Sequence, residues 1–178
     1  QTGMYLSTNR CAMYCRHCFR KRLVGVNDAE INKQFDDVVN YIKEHREINN
    51  VLISGGDSFM NSNEKIAKIL SEFTKINHLS FIRFGTRVPV VLPQRIYEDD
   101  ELLNILDYYN KIKQIYIVTH FNHPNEITHE STEAVKSLRN IGIVVRNQTV
   151  LLKGVNDNPS TMTNLMKGLT KIGITPYY

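Results

Sequence analysis

The stretch that decides the fold runs from residue 51 to residue 84 and reads VLISGGDSFMNSNEKIAKILSEFTKINHLSFIRF. Its apolar start predicts a short buried strand that ends in the turn Ser-Gly-Gly-Asp, 54–57. Asn61 and Glu64 have the spacing of a capping box at the start of a helix. That helix is predicted because apolar residues recur at helical spacing: Ile66, Ile69, Leu70 and Phe73. A second apolar run, 79–84, predicts another strand and completes a strand–helix–strand unit.

The same alternation continues on both sides of this unit. Further apolar runs predict strands at 4–7, 115–118, 143–150 and from 174 onward, with helices between them. Parallel strands need crossover connections, and the helices supply them, so we predict an α/β fold with a parallel sheet and helices outside. Six such strands fit an open doubly wound sheet or a (β/α) barrel. The barrel is slightly favoured, because the polar and histidine-rich segments follow strands and precede helices.

The chain has three cysteines, Cys11, Cys15 and Cys18, and all lie in one short stretch after the first predicted strand. Three thiolates are one ligand short of a closed iron–sulfur or zinc site, so a four-iron cluster bound here would keep one iron open for a small molecule. A disulfide with one free thiol, or a zinc site completed by His17, is an alternative. Thiolates select soft or borderline metals, and we favour an iron–sulfur cluster.

Length and composition limit the classes of protein. With 178 residues, 42% of them hydrophobic, the chain can bury one substantial core, so one domain is expected. The formal net charge is +4, and four basic residues lie beside the cysteines: Arg16, Arg20, Lys21 and Arg22. We interpret them as a local balance for a negatively charged site, in preference to a nucleic-acid surface. Neither a membrane span nor a signal peptide is visible, and the cysteine usage suits a reducing cytosol.

Five segments of the sequence together resemble the radical S-adenosylmethionine (SAM) enzymes, and within them the lysine 2,3-aminomutase family. They are CAMYCRHC (11–18), SGGD (54–57), GTRVPVVLPQRI (85–96), THFNHPNEIT (119–128) and GVND (154–157). The resemblance implies a partial (β/α)6 barrel of the TIM type, with parallel strands inside and helices outside. It also implies that residues 1–178 form the core domain, and that the family's N-terminal and C-terminal parts are absent from this sequence.

In the enzymes that the chain resembles, the three cysteines hold a [4Fe-4S] cluster whose open iron binds SAM. The resemblance places four residues near the SAM ammonium group: Ser54, Gly55, Gly56 and Asp57. It places His120 and Asn122 near the ribose and methionine portions of SAM, with Gln148 as a weaker contact. The residues also allow plainer interpretations: a turn that needs glycine, a zinc site formed by His120, His123 and Glu126, or a polar sheet end. Pro124 disfavours the zinc site, because it interrupts a continuous helix.

The resemblance also implies a substrate and a third cofactor. Arg20 matches the arginine that binds the substrate carboxylate, a role that suits a planar guanidinium. Tyr177 matches a position near pyridoxal 5′-phosphate (PLP), whose lysine would lie beyond Tyr178. The implied reaction is reductive cleavage of SAM to a 5′-deoxyadenosyl radical that drives PLP-dependent 2,3-migration of an amino group. We expect an isomerase that converts L-lysine to L-β-lysine, with no catalytic side chain assigned in these residues. Residues 1–178 alone are expected to hold the cluster and SAM and to be inactive in the full reaction.

Two departures from the lysine aminomutase pattern leave the substrate open. CFRKR at 18–22 and Ser58 replace the common CTRRR and a common proline. Glutamate 2,3-aminomutase, or another amino-acid aminomutase, is the alternative within the family. A non-catalytic zinc- or cluster-binding module is the alternative outside it. We further expect a reducing electron donor such as flavodoxin or ferredoxin, no nucleic-acid or membrane partner, a homo-oligomer for the full-length protein, and a cytoplasmic location.

Overall fold

The computed structural model describes residues 1–22, 24 and 34–177, and a six-stranded sheet forms its centre. The strands are β1 (Thr2–Thr8), β2 (Asn50–Gly55), β3 (Phe81–Gly85), β4 (Ile115–Thr119), β5 (Val144–Asn147) and β6 (Thr175–Pro176). Each strand pairs in parallel with the next one along the chain, so the spatial order is the sequence order. A doubly wound sheet would reverse its order at a switch point, so this order is that of the predicted partial (β/α)6 barrel.

Helices connect the strands. They are α1 (Phe35–Glu44), α2 (Asn63–Thr74), α3 (Val88–Val91), α4 (Gln94–Tyr97), α5 (Asp100–Ile112), α6 (His129–Asn140) and α7 (Pro159–Lys171). The sequence pattern predicted the five long ones. It did not predict α3 and α4, because a single turn is too short to show helical periodicity. Among the described residues, no helix is long and apolar enough to cross a membrane.

The hydrophobic core lies between the sheet and the helices, on one face of the sheet. Ile53, Phe84 and Ile117 point to this face from neighbouring strands and are fully buried. They pack with the apolar faces of the helices, which include Ile66, Phe73, Leu106 and Leu138. Alternate strand residues point the other way because side chains alternate along a strand, and Leu52, Arg83 and Tyr116 there are only partly buried. The concave face is therefore open and partly polar.

Several predicted boundaries differ from the structure by a few residues, and two of the differences have a clear physical reason. Ser62, and not Asn61, caps helix α2, since the Ser62 side chain accepts a hydrogen bond from the Lys65 amide. Asn61 is buried and donates instead to Ser7 Oγ and to the Ser58 carbonyl. Its side chain therefore connects the segment after β2 to strand β1. Strand β5 stops at Asn147 and not at 150. The Asn147 side chain bonds both the amide and the carbonyl of Phe121, which replaces strand pairing at this point.

Candidate functional site

An open cavity of about 910 Å³ lies at the carboxyl ends of the strands. Eleven of the twelve predicted site residues line it: Cys11, Cys15, Cys18, Arg20, Ser54, Gly55, Gly56, Asp57, His120, Gln148 and Tyr177. Strand order explains the convergence, because the loops that follow neighbouring parallel strands meet at the same end of a barrel. Asn122 is the predicted residue that does not line the cavity.

The glycines of the Ser-Gly-Gly-Asp turn hold the cysteine-bearing segment in place. The Gly56 and Asp57 amides donate hydrogen bonds to the carbonyls of Thr8 and Arg10, at 2.5 and 2.7 Å. A Cβ atom added to Gly55 would lie 2.2 Å from the Thr8 carbonyl oxygen, and one added to Gly56 would lie 2.2 Å from that of Arg10. Gly55 also has a φ of +124°, which disfavours other residues. This turn therefore needs glycine in order to dock the cysteine loop against β2.

The three cysteine side chains are partly exposed and face the cavity together. Burial, together with the smaller effect of the negative charges of Asp57, Cys18 and Cys15, raises the pKa of the Cys11 thiol to about 11. In the part of the chain that the structure describes, no three His, Cys, Asp or Glu side chains converge closely enough to hold a single metal ion. A four-iron cluster makes a different demand, since each cysteine binds a different iron. Three accessible thiols on one loop at one cavity fit that demand.

Asp57 joins two loops of the cavity and is itself 5% exposed. Its Oδ1 accepts hydrogen bonds from the Phe59 amide and from Thr86 Oγ1, at 3.0 and 2.6 Å. Its Oδ2 accepts from the Arg87 amide at 2.7 Å. Burial raises the pKa of the carboxyl group, and these hydrogen bonds act against that change. Because both oxygens are already bonded within the protein, Asp57 fixes the loop after β2 to the loop after β3.

Arg20 reaches over the same turn from the end of the cysteine loop. Its Nη1 donates to Ser54 Oγ at 2.6 Å and lies 3.5 Å from the Gly55 carbonyl oxygen, while Nη2 lies 2.8 Å from Met4 Sδ. Among the described residues, Arg20 forms no ion pair. A guanidinium at a cavity wall with no carboxylate beside it can form an ion pair with the carboxylate of a ligand. This position suits the predicted carboxylate-binding role.

Arg87 is a site residue that the sequence prediction missed. Its guanidinium contacts four groups: Nη1 donates to Cys15 Sγ at 2.9 Å and lies 3.7 Å from Met13 Sδ, Nη2 donates to Glu126 Oε1 at 2.7 Å, and Nε donates to the His120 carbonyl at 3.2 Å. It lies inside the segment GTRVPVVLPQRI, directly after β3, so its place at the strand end was a usable signal. The sequence could not show that its side chain reaches the cysteine loop.

His120 lines the cavity as a mostly buried ring. Burial lowers its pKa most, the charges of Arg87 and His17 lower it further, and a hydrogen bond to the backbone of Gln148 acts in the opposite direction. The ring is therefore neutral at neutral pH. A neutral ring in this place can donate and accept hydrogen bonds without adding to the positive charge of the cavity.

The lowered pKa of His120 predicts that the stability of the protein depends on pH. Below the ordinary histidine pKa of about 6.5 the unfolded chain takes up a proton that the folded chain does not, so the free energy of unfolding falls as the pH falls. The slope from one such group is at most about 1.4 kcal/mol per pH unit. Urea unfolding measured from neutral pH down to about pH 5 should show that the free energy of unfolding falls less steeply for His120→Gln than for the parent protein. The exposed His129 on α6 provides a control variant, His129→Gln, for the replacement of a histidine by glutamine at the surface. Equal slopes for parent and His120→Gln would contradict the prediction.

The structure does not bring Asn122 to the cavity. Its side chain is 2% exposed, and Oδ1 accepts a hydrogen bond from the Val150 amide at 2.8 Å. Its carbonyl accepts from the side chain of Asn156, which belongs to the segment GVND and also bonds the Val150 carbonyl. Both asparagines therefore hold the loop after β5 against the loop after β4.

Tyr177 and the adjoining strands add aromatic rings beside the cavity. The Tyr177 amide donates to the Asn147 carbonyl at 2.8 Å, which pairs the chain end with β5. The Arg146 guanidinium lies 4.6 Å from the centre of the Tyr116 ring and 5.2 Å from that of Tyr177. Such cation–π contacts fix the orientation of the tyrosine.

The charged side chains of the cavity lining are mostly cationic. Five basic side chains line it, namely Arg16, Arg20, Lys21, Arg83 and Arg87, against the single carboxylate of Asp57. Asp57 is buried and its oxygens are bonded to the protein, so it offsets little of this charge at the cavity surface. An excess of arginine at a concave site favours ligands that carry carboxylate or phosphate groups.

Comparison with known proteins agrees with this geometry. Residues 5–165 match the family model described as the radical SAM superfamily. The chain is 48% identical over 175 residues to the L-lysine 2,3-aminomutase of Methanococcus maripaludis, covering 98% of this chain and 39% of that protein. It is 45% identical over 176 residues to the L-lysine 2,3-aminomutase of Acetoanaerobium sticklandii, and the match covers 98% of this chain and 41% of that protein.

A third relative is the glutamate 2,3-aminomutase of Clostridioides difficile, which is 45% identical over 172 residues, covering 96% of this chain and 40% of that protein. The chain thus spans less than half the length of each of these relatives. Among solved structures, coproporphyrinogen III oxidase from Escherichia coli, described as a radical SAM enzyme, has a TM-score of 0.59 at 11% identity. The structural alignment covers 99% of this chain and 44% of the oxidase chain. This last likeness concerns the fold alone.

Proposed function

The chain belongs to the radical SAM superfamily, and from this premise we propose that residues 1–178 are the core domain of a radical SAM 2,3-aminomutase. In this proposal the protein is an isomerase that moves an amino group between adjacent carbons of an amino acid, with L-lysine as the first candidate substrate. One observation carries it: three cysteines, one ligand short of a closed site, face the same cavity as Arg20, which has no carboxylate partner among the described residues. The identity to proteins named as aminomutases over nearly the whole chain supports it.

The cofactors of the proposed enzyme are a [4Fe-4S] cluster, SAM and PLP. When bound, they supply a carbon-centred radical that removes hydrogen from the substrate and a carrier for the migrating amino group. Cys11, Cys15 and Cys18 would hold the cluster, and the turn of Ser54, Gly55, Gly56 and Asp57 would border SAM. Tyr177 is the candidate neighbour of PLP in this chain.

The protein's own part is to bind, orient and shield. Arg20 would pair the substrate carboxylate through the guanidinium donors that its contacts with Ser54, Gly55 and Met4 leave unused. The neutral His120 and the side chain of Gln148 also line the cavity and would offer hydrogen bonds there. Apolar residues of the concave face, such as Leu52 and Val118, would exclude water from the radical.

Glutamate is the second candidate substrate. The cationic lining, with Arg83 on the concave face in addition to Arg20, suits a ligand with two carboxylates. The glutamate 2,3-aminomutase relative is about as similar to this chain as the lysine enzymes are. The remaining parts of the proposal are an amino-acid substrate, a one-electron donor of the flavodoxin or ferredoxin kind, a homo-oligomer and a cytoplasmic location.

The experiment that tests the function uses the full-length protein, reconstituted anaerobically with iron and sulfide and supplied with SAM, PLP and dithionite. We expect 5′-deoxyadenosine to form, and L-lysine to yield L-β-lysine in a chromatographic assay, with L-glutamate tested in parallel. Conversion of glutamate and not of lysine would replace the first candidate by the second. Protein that carries a full cluster and forms no 5′-deoxyadenosine would contradict the proposal and favour a non-catalytic cluster-binding module.

A further inference from the structure

Arg87 is the point at which four loops of the cavity meet. It follows β3, and its amide donates to Asp57 on the loop after β2. Its side chain contacts Cys15 on the loop after β1, and His120 and Glu126 on the loop after β4. The side chain is 16% exposed, so these contacts are made largely away from solvent. A residue held at both its backbone and its side chain has little freedom to leave this position.

The contacts of the guanidinium aim one nitrogen at the Cys15 sulfur. Nε is bonded to the His120 carbonyl and Nη2 to the Glu126 carboxylate. Because the guanidinium is planar and its donors are fixed relative to one another, these two bonds set the direction of Nη1, which lies 2.9 Å from Cys15 Sγ. A lysine ammonium is a single charged point on a flexible chain and cannot make three such contacts in fixed directions.

Glu126 is itself held in place. Its Oε1 accepts from Arg87, and its Oε2 accepts from the amides of Asn122 and His123, at 2.6 and 3.3 Å. The carboxylate therefore fixes the arginine and offsets part of its charge. The two groups form an ordered pair, with the positive member directed at the sulfur and the negative member behind it.

We propose that Arg87 is a positioning residue for the iron–sulfur cluster, which holds the Cys15 thiolate in its ligating orientation and makes the cluster easier to reduce. This inference rests on the proposed function, because it requires the three cysteines to hold a cluster. Hydrogen bonds to the sulfurs and the net charge near a cluster set its reduction potential, and a positive donor favours the more negative, reduced form. Partners that orient a metal ligand commonly affect metal affinity as well. Glu126 limits the effect of Arg87 on the potential.

The test is a potentiometric titration of the reconstituted cluster with dithionite, followed by electron paramagnetic resonance. At the potential where half of the parent cluster is reduced, Arg87→Gln should lower the ratio of reduced to oxidised cluster about tenfold, which is about 59 mV for one electron. Glu126→Gln should raise that ratio, because it removes a negative charge and leaves the arginine. Arg87→Lys keeps the charge and loses the directed contact, so it should lie between the parent and Arg87→Gln.

A matched control is Arg95→Gln. Arg95 also pairs with a carboxylate, that of Asp99, but it does not line the cavity, so its loss should leave the ratio unchanged. If Arg87→Gln and Glu126→Gln hold intact clusters at the parent potential, the inference is wrong. If Arg87→Gln retains no cluster, Glu126→Gln decides, and an unchanged or lowered ratio overturns the inference. A parent protein that takes up no cluster overturns the proposed function as well, and iron analysis of the parent separates the two failures.

Discussion

Replacing Cys15 with alanine is expected to reduce cluster loading to background and to abolish the formation of 5′-deoxyadenosine. The three thiols at the cavity already leave one iron of a four-iron cluster without a protein ligand, and the loss of another leaves two. Cys15 lies between the other two in sequence and also has the contact with Arg87, so no neighbouring thiol can replace it. Iron and sulfide analysis after anaerobic reconstitution measures the loss, and chromatography measures the nucleoside.

The cluster-free protein should not unfold, which separates loss of a ligand from loss of the fold. Cys15 is partly exposed and lies outside the hydrophobic core, so alanine there leaves core packing intact. Ala12→Ser, at an exposed position of the same loop, keeps all three thiols and should load and react like the parent. Retention of a complete cluster by Cys15→Ala would show that the three cysteines do not hold it.

The sequence could predict the architecture, because the signals that determine it are local. Apolar runs such as 51–53 and helical repeats such as that of α2 predicted the six strands and the five long helices. Once the strands were parallel, the segments after them had to converge, so eleven of the twelve predicted residues meet at one cavity. The pattern alone left the closure of the sheet open, because the spatial order of the strands depends on tertiary pairing. The observed order, in which each strand pairs with the next one along the chain, is that of the partial barrel.

The direction of a side chain after a strand could not be predicted. Asn122 and His120 follow the same strand two residues apart, yet His120 lines the cavity and Asn122 bonds the loop at Val150. The contact of Arg87 with Cys15 joins residues 72 positions apart in sequence. The glycine turn was predicted as a SAM contact, and the structure adds a reason that depends on tertiary packing: the Thr8 and Arg10 carbonyls leave no room for a Cβ atom.

Replacing Gly56 with alanine should destabilise the protein by about 3 kcal/mol, because the added Cβ would lie 2.2 Å from the Arg10 carbonyl oxygen. That oxygen is backbone and cannot rotate away. The cysteine loop must therefore move as a whole, which strains the hydrogen bonds from the Gly56 and Asp57 amides. For a chain of this length we expect the melting temperature to fall by about 10 °C. The same movement should weaken cluster loading, since the loop carries all three thiols.

Gly85→Ala is the matched control, since it adds the same atom at the end of the neighbouring strand. Its Cβ would have Ser54 Oγ as its nearest neighbour at 3.5 Å, an ordinary contact, and its backbone has no positive φ. Thermal unfolding of the cluster-free forms should therefore place Gly85→Ala near the parent and Gly56→Ala well below it. Similar melting temperatures for the two variants would mean that the loop after β1 yields easily. The glycine would then be needed for contact with a ligand, and not for docking the cysteine loop against β2.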